Sequence, residues 1–179
     1  MQTKNHSRCK IIGHRWSEWA ASSNDPCLFE RTCNRCGHVC QGTSLEIARA
    51  YFSKAQQELN FAKQNPNFCC DACGPNGEHT FFACYEAATN AMRSLVALQN
   101  RGLPKIVKGV DLKRLVTETA ADRNGFETAV NLIDRMLACG SRHAFRYSAP
   151  DPGDIAEAIQ LTEQFVALIA SQLPKEVLT

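Results

Sequence analysis

The sequence predicts a mainly α protein: an antiparallel bundle of four to five helices preceded by a small cysteine- and histidine-rich module. Three observations carry this reading. From residue 44 onward, apolar residues recur at three- and four-residue spacing, the period of an amphipathic helix. Over the same stretch no run alternates apolar and polar residues as a half-buried strand would. Ahead of it, both tryptophans and a dense group of cysteines occupy a segment with no long helical period.

The helices follow in order. Ser44 to Gln64 carries Leu45, Ala48, Phe52, Ala55, Leu59 and Ala62 on one stripe, and Asn65-Pro66 stops it, because proline disfavours helical geometry in the residue before it. A second helix is expected from Thr80, as N-cap, to Arg101, turning Phe82, Ala88, Ala91, Met92, Leu95 and Leu98 inward, with Gly102 and Pro104 closing it. A shorter one spans Asp111 to about Ala121 and buries Leu112, Leu115 and Val116. Asn124 followed by Glu127 resembles a capping box and opens a helix carrying Val130, Ile133, Met136 and Leu137. A loop from Gly140 to Gly153 is expected to hold Arg142, His143, Arg146 and Tyr147. Asp154 with Glu157 then caps a last helix through Ile155, Ala158, Ile159, Thr162, Phe165, Val166 and Ile169, ended by Pro174.

Composition bounds what such a chain does. The 179 residues are 44% hydrophobic and 21% charged, so a packed core is expected and wholesale disorder is not. A formal net charge of +2 excludes a generally basic coat but allows a local basic patch. No apolar run approaches the roughly 18 residues of a membrane span, and no charged-then-apolar leader opens the chain. No membrane partner and a cytoplasmic location are therefore expected. Composition shifts near Gln41-Gly42, which places a boundary between a module at 1–42 and a bundle at 44–173, with Gly42-Thr43-Ser44 as a short linker.

Ten cysteines call for disulfides or metal, and spacing decides. In a reducing compartment thiols persist as ligands. Cys9-x4-His14 and Cys33-x2-Cys36 supply four donors of the types Zn2+ prefers, and short spacing lets each pair reach one tetrahedral ion. Gly13 and Gly37 permit the tight turns that aim the donors inward. So small a segment buries too little apolar surface to fold alone, and metal binding would supply much of its folding free energy. With four protein donors the site reads as structural, Trp16 and Trp19 as its small core, and Cys27, His38 and Cys40 as reserve ligands.

A second zinc set is a candidate at Cys70, Cys73, His79 and Cys84, beside Cys69; the competing readings are a thiol-rich loop with Cys84 as a small buried residue and, third, an oxidised pair such as Cys69 with Cys73. Cys139 stands alone and reads as core.

The runs Cys9-Lys10-Ile11-Ile12-Gly13-His14-Arg15-Trp16 and Arg31-Thr32-Cys33-Asn34-Arg35-Cys36-Gly37 resemble small prophage-type zinc-finger proteins, over about a fifth of the chain. Residues from about 44 to 173 resemble the HEPN family of helical bundles. The likeness rests on the Ala-rich stripe Ala48 to Ala62, the aromatic and Ala-rich run Phe82 to Leu95, Val110-Asp111-Leu112 where the family has His-Asp-Leu, and Arg146-Tyr147 before Pro150-Asp151-Pro152. The resemblance implies a ribonuclease, a partner of nucleotidyltransferases in toxin–antitoxin pairs, or a nucleotide-binding module without catalysis. HEPN nucleases carry an Arg, four to six residues, then a His. Arg8 to His14 and Arg31 to His38 meet that spacing only within the cysteine-rich module, and in the bundle Arg135 and His143 are separated by seven residues.

These observations lead to a non-enzymatic zinc-containing accessory protein acting on nucleic acid, a nucleotide or a nucleotide-handling partner, with phage or defence biology as its setting. Lys4, Arg8, Lys10, Arg15, Arg31 and Arg35 would supply phosphate contacts beside a tryptophan, and Arg142 and Arg146 a second anion site. A homodimer or hetero-complex is expected. Two alternatives stand beside it. One is a metal-independent ribonuclease toxin using His143 with Arg142 and Arg146, the imidazole moving the 2′-hydroxyl proton and the guanidinium groups stabilising the phosphorane. The other is a factor that only binds protein.

Overall fold

Thr43 sets the start of the first helix. In the computed structural model, which describes residues 9, 14–17, 19–21, 28–66, 78–99, 109–121, 126–144 and 152–179, its side chain accepts from the Glu46 backbone N–H (3.3 Å) while its own N–H donates to the Glu46 carboxylate (2.8 Å). That reciprocal capping box opens α1 (Ser44–Gln64). At the other end Asn65 donates through both backbone N–H and side-chain amide to the Phe61 carbonyl, each at 3.0 Å.

Three strands precede it: β1 (Ala20–Ala21), β2 (Leu28–Thr32) and β3 (Val39–Thr43), forming an antiparallel sheet in that order. The expected linker at Gly42–Ser44 is absent. β3 passes directly into α1, and Gly42 is buried in the strand. A Cβ there would meet Ile47 Cδ1 at 3.0 Å and Trp19 Cη2 at 3.4 Å, so a side chain at this position would push the Ile47 tip aside where the sheet closes on the helix. Phe29 of β2 is fully buried and belongs to the same core as Ile47, Phe52 and the helices behind them. Ile47 thus takes an inward role that the three-four spacing assigned to Leu45, which is exposed: the sheet lies on the Ile47 side and widens the buried stripe towards it.

Beyond α1 lie α2 (Glu78–Ala97), α3 (Gly109–Ala121), α4 (Glu127–Ala144), α5 (Pro152–Gln172) and α6 (Lys175–Leu178). Side-chain pairs show that neighbours run antiparallel. Thr80 at the start of α2 donates to the Asn65 carbonyl at the end of α1 (2.9 Å). Lys63 pairs with Glu163 (2.8 Å), while Arg49 donates to the Glu176 carbonyl, so α5 and α6 run back along α1. Met136 of α4 meets Thr162 of α5 (3.3 Å) while Cys139, further along α4, lies beside Asp154 near the start of α5, so this pair is antiparallel too, with Arg135 paired to Glu157 (2.7 Å) across it.

The core explains α2. Ala83, Ala87, Ala88 and Ala91 are buried against an equally Ala-rich α1 (Ala48, Ala55, Ala62), and small side chains let the two axes approach closely. Here three expectations are corrected. Thr80 is not the N-cap but a buried bolt between helices; α2 stops at Ala97 rather than Arg101; and Phe82 is 62% exposed, because the alanine face, not the aromatic one, turns inward. α4 runs through Gly140 to Ala144, where a loop was expected, since packing of Ile133, Met136 and Cys139 outweighs glycine's low helix propensity. Asp154 is the third residue of α5, not its cap, and its charge favours the positive end of the helix. Leu112, Val116, Ile133, Met136, Ile155, Ala158, Thr162, Phe165, Val166 and Ile169 are buried as expected; Leu115, Val130, Leu137 and Ile159 are half-buried. Phe126, Leu161 and Val177 join the core unannounced. Among the described residues no helix is long and apolar enough to cross a membrane.

Candidate metal centre

Four donor atoms converge at the outer end of the sheet. The turn from β2 to β3 is a knuckle: Gly37 N–H donates to the Cys33 carbonyl (2.8 Å), and Gly37 takes φ +71°, where a side chain would strain. The Cys33 N–H donates to the His38 carbonyl (2.8 Å), and the Arg35 N–H reaches Cys33 Sγ (3.4 Å). The segment at residues 14–17 runs beside β2. Ser17 N–H donates to the Thr32 carbonyl (2.9 Å), Asn34 N–H donates to the Arg15 carbonyl (2.7 Å), and Trp16 pairs with Cys33. These bonds carry His14 to the knuckle.

The ligand atoms of Cys9, His14, Cys33 and Cys36 all lie within 4.8 Å of one another. Cys9 Sγ is 3.6 Å from Cys33 Sγ, and Cys36 Sγ is 3.4 Å from His14 Nδ1. A tetrahedral zinc with ordinary bond lengths has S–S edges of about 3.8 Å and S–N edges of about 3.6 Å. Both measured edges fit, and His14 would donate through Nδ1. Cys9 and Cys33 are buried, Cys36 is half-buried and His14 is exposed.

The thiols differ sharply. Burial, then hydrogen bonding with Cys36 and Cys33, pushes Cys9 up to about 12. Burial works in the same direction on Cys33, but the backbone N–H groups of Arg35 and Cys36, together with His14, overcome it and bring it down to about 5. The knuckle amides thus favour a thiolate at Cys33, and a cation at the centre would draw the remaining thiols the same way.

No family model, curated protein or solved structure matches the chain.

The other sequence candidates fall in different places. His38 sits beside the centre, its ring 5.5 Å from that of His14, and Cys40 lies further along β3; neither is in the four-ligand group. Of the second set, Cys70 and Cys73 lie outside the described residues, as do Cys27 and Cys69. His79 is half-buried in the first turn of α2, while Cys84 is wholly inside the bundle core, where burial pushes its thiol up to about 11. Arg142 and His143 belong to the last turn of α4 rather than to a loop, and Arg146 and Tyr147 lie outside the described residues. Cys139 is core, as expected. Its sulfur also lies within 4.8 Å of the Asp154 and Glu157 carboxylates, a juxtaposition across α4 and α5 that no sequence spacing signals. Glu157 there is already paired with Arg135.

Proposed function

We propose that this protein is a non-enzymatic, zinc-organised accessory protein that meets nucleic acid through its N-terminal module and carries a HEPN-like bundle for partner or nucleotide contacts. The observation that supports it most is the convergence of Cys9, His14, Cys33 and Cys36 on one point, with two edges matching a tetrahedral zinc. All four positions are filled by protein, so the ion would hold the sheet together rather than activate water. Zinc–thiolate ligation needs reduced cysteines, which fits a cytoplasmic setting.

The non-enzymatic reading is supported by spacing: the Arg and His of HEPN nucleases are four to six residues apart, whereas seven separate Arg135 from His143. Arg135 and His143 stand on one continuous helix, so their backbones are separated by about 12 Å along its axis. The Arg135 guanidinium is also bound to Glu157 at 2.7 Å.

The test is direct. Purified full-length protein is expected to contain one zinc per chain, to bind RNA or DNA with an affinity that falls as salt rises, and to leave RNA intact. Light scattering is expected to give a dimer or larger mass. RNA cleavage lost in His143→Ala would replace this reading with a toxin ribonuclease. Absence of nucleic-acid binding at low salt would replace it with a factor that only binds protein.

A further inference from the structure

Among the described residues, no carboxylate pairs with the Arg31 guanidinium. Strand alternation places Phe29 and Arg31 on one face of β2 and Glu30 on the other, where the Glu30 carboxylate accepts from Gln41 Nε2 at 2.8 Å. The guanidinium carbon lies 4.7 Å from the Trp16 ring centroid and 4.4 Å from that of Trp19. Its Nε is buried with no hydrogen-bond partner, and no carboxylate among the described residues pairs with it. Desolvating a guanidinium without a counter-ion is costly, and the two indole faces offset only part of that.

The arrangement selects the ligand. Two aromatic rings hold the guanidinium and strip water from it, while the residue remains half-exposed, so its outer edge meets an anion in a partly desolvated setting. The indoles are themselves engaged: Trp16 stacks on His14 (4.7 Å, 26°), and Trp19 packs at Gly42 and Ile47. They are therefore committed to the fold rather than offered to bases. Arg15 and Arg35, both exposed, flank the knuckle at the same end of the sheet. Residues 1–41 hold six Lys/Arg against three Asp/Glu, while the rest of the chain is slightly acidic, so a repeating anion is drawn to this end.

We infer that Arg31, held between Trp16 and Trp19, is a phosphate-binding residue for the sugar-phosphate backbone of a nucleic acid, read without base stacking. This rests on the nucleic-acid reading above and names the contact within it. An acidic polypeptide offers carboxylates instead of phosphates, and the experiment separates the two.

The experiment uses zinc-loaded full-length protein and fluorescence anisotropy with a labelled unstructured single-stranded RNA, a duplex DNA of equal length and poly-glutamate, each across a salt series. Zinc content and helical circular dichroism check the fold of every variant. Arg31→Ala is expected to weaken RNA and DNA binding and to lower the salt slope by about 0.7–0.9. Arg31→Lys keeps the charge but loses the planar fork, so it is expected to retain the slope and bind about tenfold more weakly. Wild-type affinity in folded Arg31→Lys overturns the inference, and it decides the matter if Arg31→Ala does not fold. Nucleic-acid binding that ignores both variants overturns this contact alone. Wild-type protein that binds neither RNA nor DNA overturns the broader reading as well. Poly-glutamate binding that depends on Arg31, without RNA binding, assigns the residue to an acidic protein partner and overturns the phosphate.

Discussion

Truncating Phe29 tests whether the cysteine- and histidine-rich module and the helical bundle share one core. Its ring is fully buried and belongs to the hydrophobic cluster that contains Ile47, Phe52 and residues of α2 to α6, although it stands on β2, four residues before the knuckle at Cys33–Cys36. Removing a buried phenyl loses its transfer free energy, about 1.5–3 kcal/mol. The cavity left behind raises the total to about 3–5 kcal/mol where the walls cannot collapse. Here they are constrained, because the Thr43–Glu46 box holds the start of α1 and even a Cβ added at Gly42 would crowd Ile47 Cδ1 at 3.0 Å. The upper half of that range is therefore expected for Phe29→Ala. Urea unfolding followed by helical circular dichroism is the assay, since nearly all of that signal comes from the bundle. The expected result is a lower midpoint with an unchanged m-value. A bundle midpoint equal to wild type would refute the shared core and restore two independent modules.

Four further outcomes are expected. Phe165→Ala, which empties a fully buried site on α5, should cost about 3–5 kcal/mol in the same assay. Thr43→Ala removes the N-cap of α1 and should cost about 1 kcal/mol, read from the same urea midpoint. Asn90 is fully buried with neither amide atom hydrogen-bonded, so in Asn90→Leu the relief of about 1–3 kcal/mol offsets an overpacking cost of about 1–3 kcal/mol and the midpoint should stay close to wild type; a loss well above about 3 kcal/mol would show that the amide has a partner. Cys84 titrates at about 11 in the fold against 9.0 when unperturbed; its contribution is full below pH 9 and lost as pH rises towards 11, about 2–3 kcal/mol in all, so Cys84→Ala should flatten stability against pH across that window relative to wild type.

The bundle was legible because its helices carry strong local signals. α1 begins at Ser44 and ends at Gln64 as its apolar period and Asn65-Pro66 require, and the inward residues of α5 were mostly readable from their spacing. The donor cluster was legible for a different reason: Cys and His donors paired at short spacing need almost no tertiary information to converge. What escaped depended on contacts between distant segments. Phe82 carries the same apolar signal as its neighbours, and only the packing of two alanine faces decides that it turns out. The sheet escaped because its strands are two to five residues long, too short for alternation to register, and Phe29 escaped with it. Gly140 was a breaker locally and part of a helix globally.

β2 joins three roles through one geometric fact. Alternate residues of a strand share a face, so Phe29 in the bundle core, Arg31 between the indoles and Cys33 at the ligand centre point the same way at successive positions. The ring contacts continue the line from His14 through Trp16 and Arg31 to Trp19, which packs against the core cluster that contains Phe29 and Ile47. Any free energy gained by binding an ion at one end is then available to hold Phe29 in place at the other, and by linkage the reverse must hold. Phe29→Ala should therefore lower zinc affinity, measured by competition with a chromogenic chelator, although the ring lies outside the ligand set. An unchanged affinity alongside a lowered urea midpoint would show that the line of contacts transmits no energy between the two ends.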